Sequence, residues 1–276
     1  MPIFAFLCSM VPSVPPTFFD HILVFLIAVV LPAALLRHAR EEELGGRRWS
    51  TADKVQLYRS NSLFMWGVAT VILVAWLLGE RSLAEIGFRA PDPTHAAWWK
   101  ALVGLFVLLE VLDVTWESTT PHRRRRTVAH FRKNLPFLPE TRTEFLQFQW
   151  MVLSASFSEE IIFRGFFTGY LLSLTGDTVL GCVIAAVFPA VVFGLTHIYQ
   201  GWKGVWKIIF MGSLLGGIVV LSHCLWLAIL LHAFVDFLGG LVAWRLLAAH
   251  PPPAEEDEED EETKADTPTH QDQTTP

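Results

Sequence analysis

The sequence predicts an all-α, polytopic transmembrane helical bundle with about seven spans. Hydrophobic residues make up 52% of its 276 residues and charged residues only 17%, with a mean hydropathy of +0.41. The apolar residues fall in long runs, as in membrane spans, rather than in the short alternating patterns of soluble domains. Most of the 11 tryptophans lie near the ends of those runs, which is typical of membrane interfaces. Together these observations exclude an ordinary soluble domain.

Seven apolar segments give the predicted span count. They cover about residues 19–36, 61–79, 98–114, 145–174, 179–196, 208–221 and 225–247. The segment 145–174 is too long for one untilted crossing at about 1.5 Å per residue, so its first part is expected to lie along the interface. Residues 1–18 lack a basic region and a small-residue cleavage site, so no removable signal peptide is expected. No internal repeat of the kind found in inverted-repeat transporters is visible.

Positive charge predicts the orientation. Lysines and arginines concentrate in the polar segments 37–60, 115–144 and 197–207, which alternate correctly if the N-terminus is outside and the C-terminal tail is cytoplasmic. The run Arg123–Arg126 could indicate nucleic-acid binding. Between two membrane spans, the positive-inside rule and affinity for anionic lipid head groups explain it more simply. We therefore expect a lipid bilayer as partner, no nucleic acid, and the plasma membrane of a prokaryote.

The C-terminal tail differs in composition from the rest of the chain. Ten acidic residues and one lysine lie between Glu255 and Asp272, a net charge of −9, which leaves +3 for the remainder of a chain whose total is −6. Such a segment is expected to be disordered. Three units are predicted: N-terminal membrane helices with basic loops at 1–144, a membrane core at 145–249 and the acidic tail at 250–276. The three distant cysteines argue against a disulfide framework or a cysteine metal site.

Three charged residues interrupt the apolar run around position 160. An ionisable side chain at membrane depth costs roughly 2.5–3.5 kcal/mol, so it marks a functional hypothesis by default. Glu160 and Arg164 have the i, i+4 spacing of a helical ion pair. Glu159, turned about 100° away, is then a candidate general base. For this motif in isolation, a purely structural role would be the preferred interpretation.

Two later apolar segments add the other polar candidates. His197 ends one segment, and His232 and Asp236 share one face of the last helix at i, i+4. Each alone fits a helix cap or a polar helix–helix contact. Their joint presence on three separate apolar segments is harder to explain as packing. Glu110 and Asp113 are expected to reach the cytoplasmic interface or to pair with basic loop residues.

The ordered set of motifs resembles a known family. Glu159-Glu160-x-x-x-Arg164, Phe193-x-x-x-His197 and His232-x-x-x-Asp236 are similar to the three motifs of the CPBP (Abi) intramembrane proteases. That family includes the type 2 CAAX prenyl proteases and bacteriocin-processing and self-immunity proteins. The resemblance covers roughly residues 145–247.

The resemblance implies a role for each site residue. Glu159 with His197 would activate the attacking water, His232 and Asp236 would stabilise the oxyanion, and Glu160 with Arg164 would hold the first motif in shape. The family commonly has asparagine where this chain has Asp236. Because an ionised aspartate cannot donate a hydrogen bond, Asp236 would have to be protonated, orient His232 or bind a metal instead.

The sequence leaves metal dependence open. Candidate ligands are Glu159, Glu160, His197 and His232, from which a His₂Glu zinc site with an open water position can be built. The His-Glu-x-x-His spacing that places two zinc ligands on one helix is absent. Members of the family have been described both as metalloproteases and as glutamate proteases. A metal-free mechanism is slightly favoured.

The sequence therefore predicts a hydrolase, a CPBP-type intramembrane endopeptidase that cleaves a membrane-associated protein or peptide with a glutamate-activated water. Two alternatives stay open. One is a non-catalytic membrane scaffold or bacteriocin-immunity protein that keeps the motifs as a polar core. The other is a membrane transporter with a buried charged pathway.

Overall fold

The part of the chain that the structure describes consists of helices and the links between them. The structure is a computed structural model and describes residues 12–41 and 49–251, with side chains at 12–37 and 49–251. These residues form ten α-helices, two π-helical turns and one short 3-10 turn, without a β-strand. The all-α prediction is confirmed. Most of the predicted acidic tail, residues 252–276, and most of the N-terminal stretch considered for a signal peptide, residues 1–11, lie outside the described residues.

Two of the helices are continued by a π-helical turn. The α-helices are α1 Phe18–Phe25, α2 Leu31–Glu41, α3 Thr51–Leu78, α4 Ala96–Ser118, α5 Pro121–Asn134, α6 Arg142–Glu160, α7 Thr168–Thr175, α8 Val179–Thr196, α9 Trp202–Ser222 and α10 Leu225–Ala249. The π-turn Leu26–Val30 joins α1 to α2, and the π-turn Ile161–Phe167 joins α6 to α7. Each pair therefore forms one continuous helix.

About seven of these continuous helices cross the membrane. Five segments are long and apolar enough by length and composition: Phe18–Arg37, Thr51–Leu78, Val179–Thr196, Trp202–Ser222 and Leu225–Ala249. The remaining two are α4 and the continuous helix from α6 to α7. Both bury acidic side chains, namely Glu110 in one and Glu159 with Glu160 in the other. The chain is an integral membrane protein.

Polar contacts define the two ends of the bundle. At one end, here called the basic end, Arg132 of α5 donates to the carbonyl of His250 just after α10. At the same end Lys54 of α3 donates to the Leu138 carbonyl at 3.0 Å, in the link between α5 and α6. At the opposite end Arg81 pairs with Asp20 at 2.8 Å. The helix α3 therefore runs from the basic end towards the opposite end, and α10 ends at the basic end.

The helix α3 begins earlier than expected. The sequence predicts a polar loop to residue 60, whereas the structure has helix from Thr51. Ser50 and Asp53 form a capping box that starts the helix. The buried Lys54 ammonium is compensated by Glu140 at 2.9 Å and Glu144 at 3.3 Å. These carboxylates allow the polar first turns to pack inside the protein. The predicted basic loop 115–144 likewise contains a helix, α5.

The helix that begins at Arg142 differs from the expected interfacial segment. It continues through the π-turn to Thr175 and packs along α3 and α10 from its start. At about 1.5 Å per residue it is roughly 50 Å long, more than the hydrocarbon thickness of about 30 Å. Its first turns are held at the basic end because Phe145 stacks on Trp244 at 4.9 Å and Phe148 contacts Tyr58 edge to face at 5.4 Å.

The hydroxyl of Thr168 contacts two irregular helical segments, the π-turn and the proline-containing α8. Pro189 lies inside α8 and has no N–H with which to bond the Ala185 carbonyl. The buried Thr168 hydroxyl, at the start of α7, lies 3.1 Å from that carbonyl. The same hydroxyl lies 3.1 Å from the Phe163 carbonyl within the π-turn. Thr168 therefore connects the π-turn to the proline-containing helix.

Two glycines bring α8 and α9 into close contact. Gly212 and Gly216 have the small-x-x-x-small spacing that lets membrane helices approach each other. A Cβ atom at Gly216 would lie 2.4 Å from the Ala186 carbonyl oxygen and 2.9 Å from its Cα. A Cβ atom at Gly212 would lie 2.7 Å from Nη2 of Arg164. The spacing of Gly212 and Gly216 can be read from the sequence, but the helix against which they pack, α8, cannot.

This close approach makes Gly216→Ala destabilising. The added methyl group meets backbone and must push α8 and α9 apart, so we expect the free energy of unfolding to fall by about 1–3 kcal/mol. Denaturant unfolding of the purified protein in detergent measures it. Gly104→Ala is the control, because a Cβ atom there meets nothing within 4 Å. Equal stability of both variants would contradict the close approach.

Candidate active site

The candidate site is built on the last turn of α6 and the π-turn that follows. Ser158, Glu159 and Glu160 end α6, and all three are buried in the bundle. Arg164 lies within the π-turn and is 1% exposed. A π-helical turn places side chains differently from a regular α-helix and is frequent at functional sites. Local helix geometry thus concentrates three charged groups at one level of the membrane.

One carboxylate oxygen of Glu160 contacts both an arginine and a histidine. Its Oε1 accepts from Nη1 of Arg164 at 2.8 Å and lies 2.7 Å from Nδ1 of His232 on α10. An ionised carboxylate can only accept hydrogen bonds. The hydrogen shared between Glu160 and His232 must therefore be on Nδ1 of the histidine. Glu160 therefore fixes the orientation of His232 and directs its Nε2 away from Arg164.

Arg164 also contacts the neighbouring helices. Its Nη2 donates to the Gly212 carbonyl of α9 at 3.4 Å, and its guanidinium lies 4.8 Å from the centre of the Phe193 ring on α8. The absence of a side chain at Gly212 makes room for this guanidinium. One arginine thus joins the π-turn to α8 and α9. The predicted role of Glu160 and Arg164 as the group that holds the motif agrees with these contacts.

Glu159 faces the other side of His232. Its Oε2 lies 3.7 Å from Nε2 of His232, and Asp236 Oδ2 lies 3.5 Å from the same nitrogen. In the part of the chain that the structure describes, Glu159 accepts no hydrogen bond. Its residue exposure is 7%, whereas the side chain of Asp236 is 34% exposed. Asp236 is therefore the member of the cluster nearest to an opening.

His197 joins the cluster through an aromatic ring rather than through a polar contact. It follows the last residue of α8, and its Nδ1 lies 3.0 Å from the Phe193 carbonyl. That carbonyl requires a hydrogen on Nδ1, which makes Nε2 an acceptor when the ring is neutral. The Phe193 ring lies 4.6 Å from His197 and 6.0 Å from His232. Among the described residues no hydrogen bond or ion pair connects His197 with Glu159.

Tyr199 is a nearby polar residue that the sequence did not single out. Its half-buried ring lies 5.7 Å from that of His197, and its oxygen accepts from Nε2 of Gln200 at 3.2 Å. Burial raises the pKa of its hydroxyl above the ordinary value; the Gln200 hydrogen bond opposes this shift, and the Glu159 and Asp236 carboxylates add to it. The hydroxyl therefore stays protonated and lies within electrostatic reach of both carboxylates. The sequence signal that could have identified Tyr199 as a site residue is its position two residues after His197.

The candidate metal ligands do not fit together as a metal centre. Among the described residues, no group of three or more histidine, cysteine, aspartate or glutamate side chains is arranged to hold an ion. Oε1 of Glu160 already contacts the Arg164 guanidinium and the His232 imidazole. The positive charge of Arg164 would also repel a metal cation bound close to it. Nδ1 of both His232 and His197 is engaged by protein acceptors, which leaves Nε2 as the only nitrogen of each ring that could bind an ion. The zinc hypothesis finds no support in this arrangement.

Other acidic groups of the membrane region lie outside this cluster. Lys207 of α9 bridges Asp113 at 2.5 Å and Glu110 at 3.7 Å on α4. The expectation that these acids pair with a basic loop residue agrees with this contact, except that Lys207 belongs to a helix. His223 is buried between α9 and α10, 3.5 Å from Asp92.

Fold and site together define a class: a helical integral membrane protein with a buried glutamate–histidine cluster between its spans. Residues 141–238 match the family model described as type II CAAX prenyl endopeptidase Rce1-like. This segment contains all the predicted site residues and is less than half of the chain, and the match supports the resemblance to the CPBP proteases over these residues. At the level of the family, this match supports a membrane endopeptidase of the CAAX protease type. No curated protein and no solved structure matched the chain.

The Arg164 contacts predict that its loss is costly. Arg164→Ala leaves the Glu160 carboxylate buried with His232 alone, so we expect the free energy of unfolding to fall by about 3–5 kcal/mol. Unfolding in detergent measures the change. Arg245→Ala is the control, because this exposed arginine of α10 lies over Trp244 at 5.1 Å, a contact that contributes about 1 kcal/mol at most. Equal losses would show that Arg164 is not a structural anchor.

Proposed function

We propose that the chain hydrolyses a peptide bond in a membrane-associated protein or peptide, using a water molecule activated by Glu159. One observation supports this assignment above others. Oε1 of Glu160 is held by Arg164 and His232, and its Oε2 is buried without a hydrogen-bond partner among the described residues. The neighbouring carboxylate of Glu159 accepts no hydrogen bond from any described residue and faces Nε2 of His232 at 3.7 Å. A buried carboxylate that is free of hydrogen bonds and of an arginine is suited to accept a proton from water.

The proposed reaction has two steps. Glu159 takes a proton from water as the water oxygen bonds to the scissile carbonyl carbon, which produces a tetrahedral oxyanion. Glu159 then gives that proton to the amide nitrogen as the carbon–nitrogen bond breaks, which releases a carboxylic acid and an amine; the acid afterwards loses its proton to water or to the amine. Water enters and no other co-reactant is needed. This scheme contains no metal-dependent step; the engagement of Glu160 by Arg164 supports this choice.

His232 is the proposed oxyanion donor in this scheme. With its Nδ1–H held by Glu160, a protonated His232 presents Nε2–H towards the space between Glu159 and Asp236. Asp236, 3.5 Å from that nitrogen, would stabilise the imidazolium rather than contact the oxyanion. This makes Asp236 a positioning residue and accommodates an aspartate where the family commonly has asparagine. Preorganised donors of this type are usually the largest single term in such reactions.

His197 and Tyr199 complete the proposed site. His197 would orient the attacking water with its accepting Nε2. The hydroxyl of Tyr199 accepts from Gln200 and retains its own hydrogen for donation to substrate or oxyanion.

Three expectations stay predictions from the sequence. They are the cytoplasmic orientation of the basic end, the location in a prokaryotic plasma membrane and the division of the chain into three units.

Glu159→Gln is the decisive variant for the proposed function. It keeps the shape of the side chain and removes its ability to accept a proton, so we expect proteolysis to fall by at least about 10²-fold. Peptide termini in membranes of the native host, compared between wild type and variant at equal abundance, report this activity. New termini should require the wild-type chain.

The matched control is Glu117→Gln, the same chemical change on α4, which should leave the termini unchanged. Identical termini with wild type and Glu159→Gln would contradict proteolysis and favour the non-catalytic scaffold. Zinc content of the purified protein and cleavage with and without a chelator test the metal-free scheme. Activity lost with a chelator and restored by zinc would overturn it.

Tyr199→Phe tests the proposed second donor. Removal of one oxyanion donor typically lowers kcat by about 10²–10³-fold, so we expect a fall of roughly that size with little change in KM. Cleavage of a peptide identified by the terminus comparison measures both constants. Tyr170→Phe is the control, because the Tyr170 hydroxyl lies 2.7 Å from His21, outside the cluster. Unchanged kcat in Tyr199→Phe would exclude the hydroxyl from the reaction.

A further inference from the structure

The helix α5 presents a strong positive charge at the basic end of the bundle. It contains five arginines and one lysine among 14 residues and no acidic residue, a formal charge of +6. Thr120 caps the helix and Pro121 starts it. The basic face is defined here as its cationic residues, namely Arg123, Arg124, Arg125, Arg126, Arg132 and Lys133.

Apolar contacts fix α5 to the bundle. Val128 is 5% exposed and belongs to the same core cluster as Leu246 and Leu247 of α10, and Phe131 packs against that cluster. The guanidinium of Arg123 lies 3.5 Å from the ring of Trp116 at the end of α4. The helix is therefore held firmly by one side and turns most of its cationic groups outwards.

The basic face lacks anionic partners within the described part of the chain. The polar contacts of its residues go to neutral carbonyls: Arg124 donates to Ser118 at 2.6 Å, and Arg132 donates to His250. The ion pairs of the bundle join other residues, such as Lys54 with Glu140 and Lys207 with Asp113. Several charges elsewhere in the bundle have ion-pair partners, whereas the cationic residues of α5 have none among the described residues.

The acidic segment of the chain leaves the bundle at this helix. The helix α10 ends at Ala249, and the His250 carbonyl accepts from Arg132. Eight consecutive acidic residues, 255–262, begin five positions later. Five extended residues span up to about 17 Å. Arg123 and Arg132 are nine residues apart, about 14 Å along a helix. The acidic residues can therefore reach the whole basic face.

We propose that the acidic segment 255–262 binds the basic face of α5. Eight negative charges on the same chain meet six positive ones at a high effective concentration, because the attachment point is adjacent to the face. The predicted competitor for the same arginines is an anionic lipid head group. The tail therefore shields α5 from the membrane surface, and α5 offers its charge to lipid when the tail is displaced. This inference does not depend on the proposed hydrolysis.

Carbodiimide coupling of the full-length protein tests this contact. The reagent joins an amine to a carboxylate as an amide bond with loss of water, and Lys133 is the single lysine of α5. In nanodiscs of neutral phosphatidylcholine at low salt, we expect a Lys133 crosslink to the 255–262 peptide, identified by mass spectrometry. At 1 M salt, where the Debye length is about 3 Å, the crosslink should be lost.

Charge variants that retain Lys133 separate this contact from chance encounter. Arg125→Gln with Arg126→Gln should lower the crosslink yield severalfold. The control pair is Arg59→Gln with Arg245→Gln, two exposed arginines on α3 and α10, which should leave the yield unchanged. Absence of the wild-type crosslink, equal yields in both pairs, or a yield independent of salt would each overturn the proposal. Anionic lipid retained by α5 in preference to the tail would assign the face to the membrane instead.

Discussion

The buried carboxylate of Glu160 is the interaction on which the rest of the site depends. A charge removed from water inside a membrane protein is tolerated only with strong partners, and Glu160 has an arginine at 2.8 Å and a histidine at 2.7 Å on the same oxygen. Through them it connects the π-turn to α10 and, by way of Arg164, to α8 and α9. Its charge is compensated through Oε1, whereas its buried Oε2 has no hydrogen-bond partner among the described residues. We therefore propose different roles for the two adjacent glutamates, because their helical positions face different surroundings.

Much of the architecture follows from patterns that the sequence contains. Long apolar runs predict the spans, and the bounds 179–196 agree with α8 because Thr178 caps it and His197 ends it. The capping box of Ser50 and Asp53 is a local signal for the start of α3, but the burial of Lys54 could not be predicted, since it depends on Glu140 and Glu144, which lie more than eighty residues away. The i, i+4 spacing of Glu160 and Arg164 predicts their pair. The pairing of Glu160 with His232 is tertiary, because nothing local to either residue specifies the packing of α6 against α10.

The same reasoning explains why the ligand question could not be decided from residue types. A list of two histidines and two glutamates is compatible with zinc and with metal-free hydrolysis. The side-chain contacts motivate the metal-free proposal, because Arg164 already compensates the charge of Glu160 through Oε1. Tyr199 went unnoticed for a related reason. A tyrosine in a short link is common, and only its ring contact with His197 at 5.7 Å gives it significance.

The hydroxyl of Thr168 has an evolutionary consequence. It lies at the same 3.1 Å from the carbonyl of Ala185, orphaned by Pro189, and from that of Phe163 in the π-turn. A lineage that replaced Pro189 would restore the backbone hydrogen bond of α8 and remove one need for a hydroxyl at 168. A lineage that replaced Thr168 by an apolar residue would leave the Ala185 carbonyl buried and unbonded, at a cost of about 1–3 kcal/mol. Positions 168 and 189 are therefore expected to covary among relatives, although 21 residues separate them and neither bears a charge.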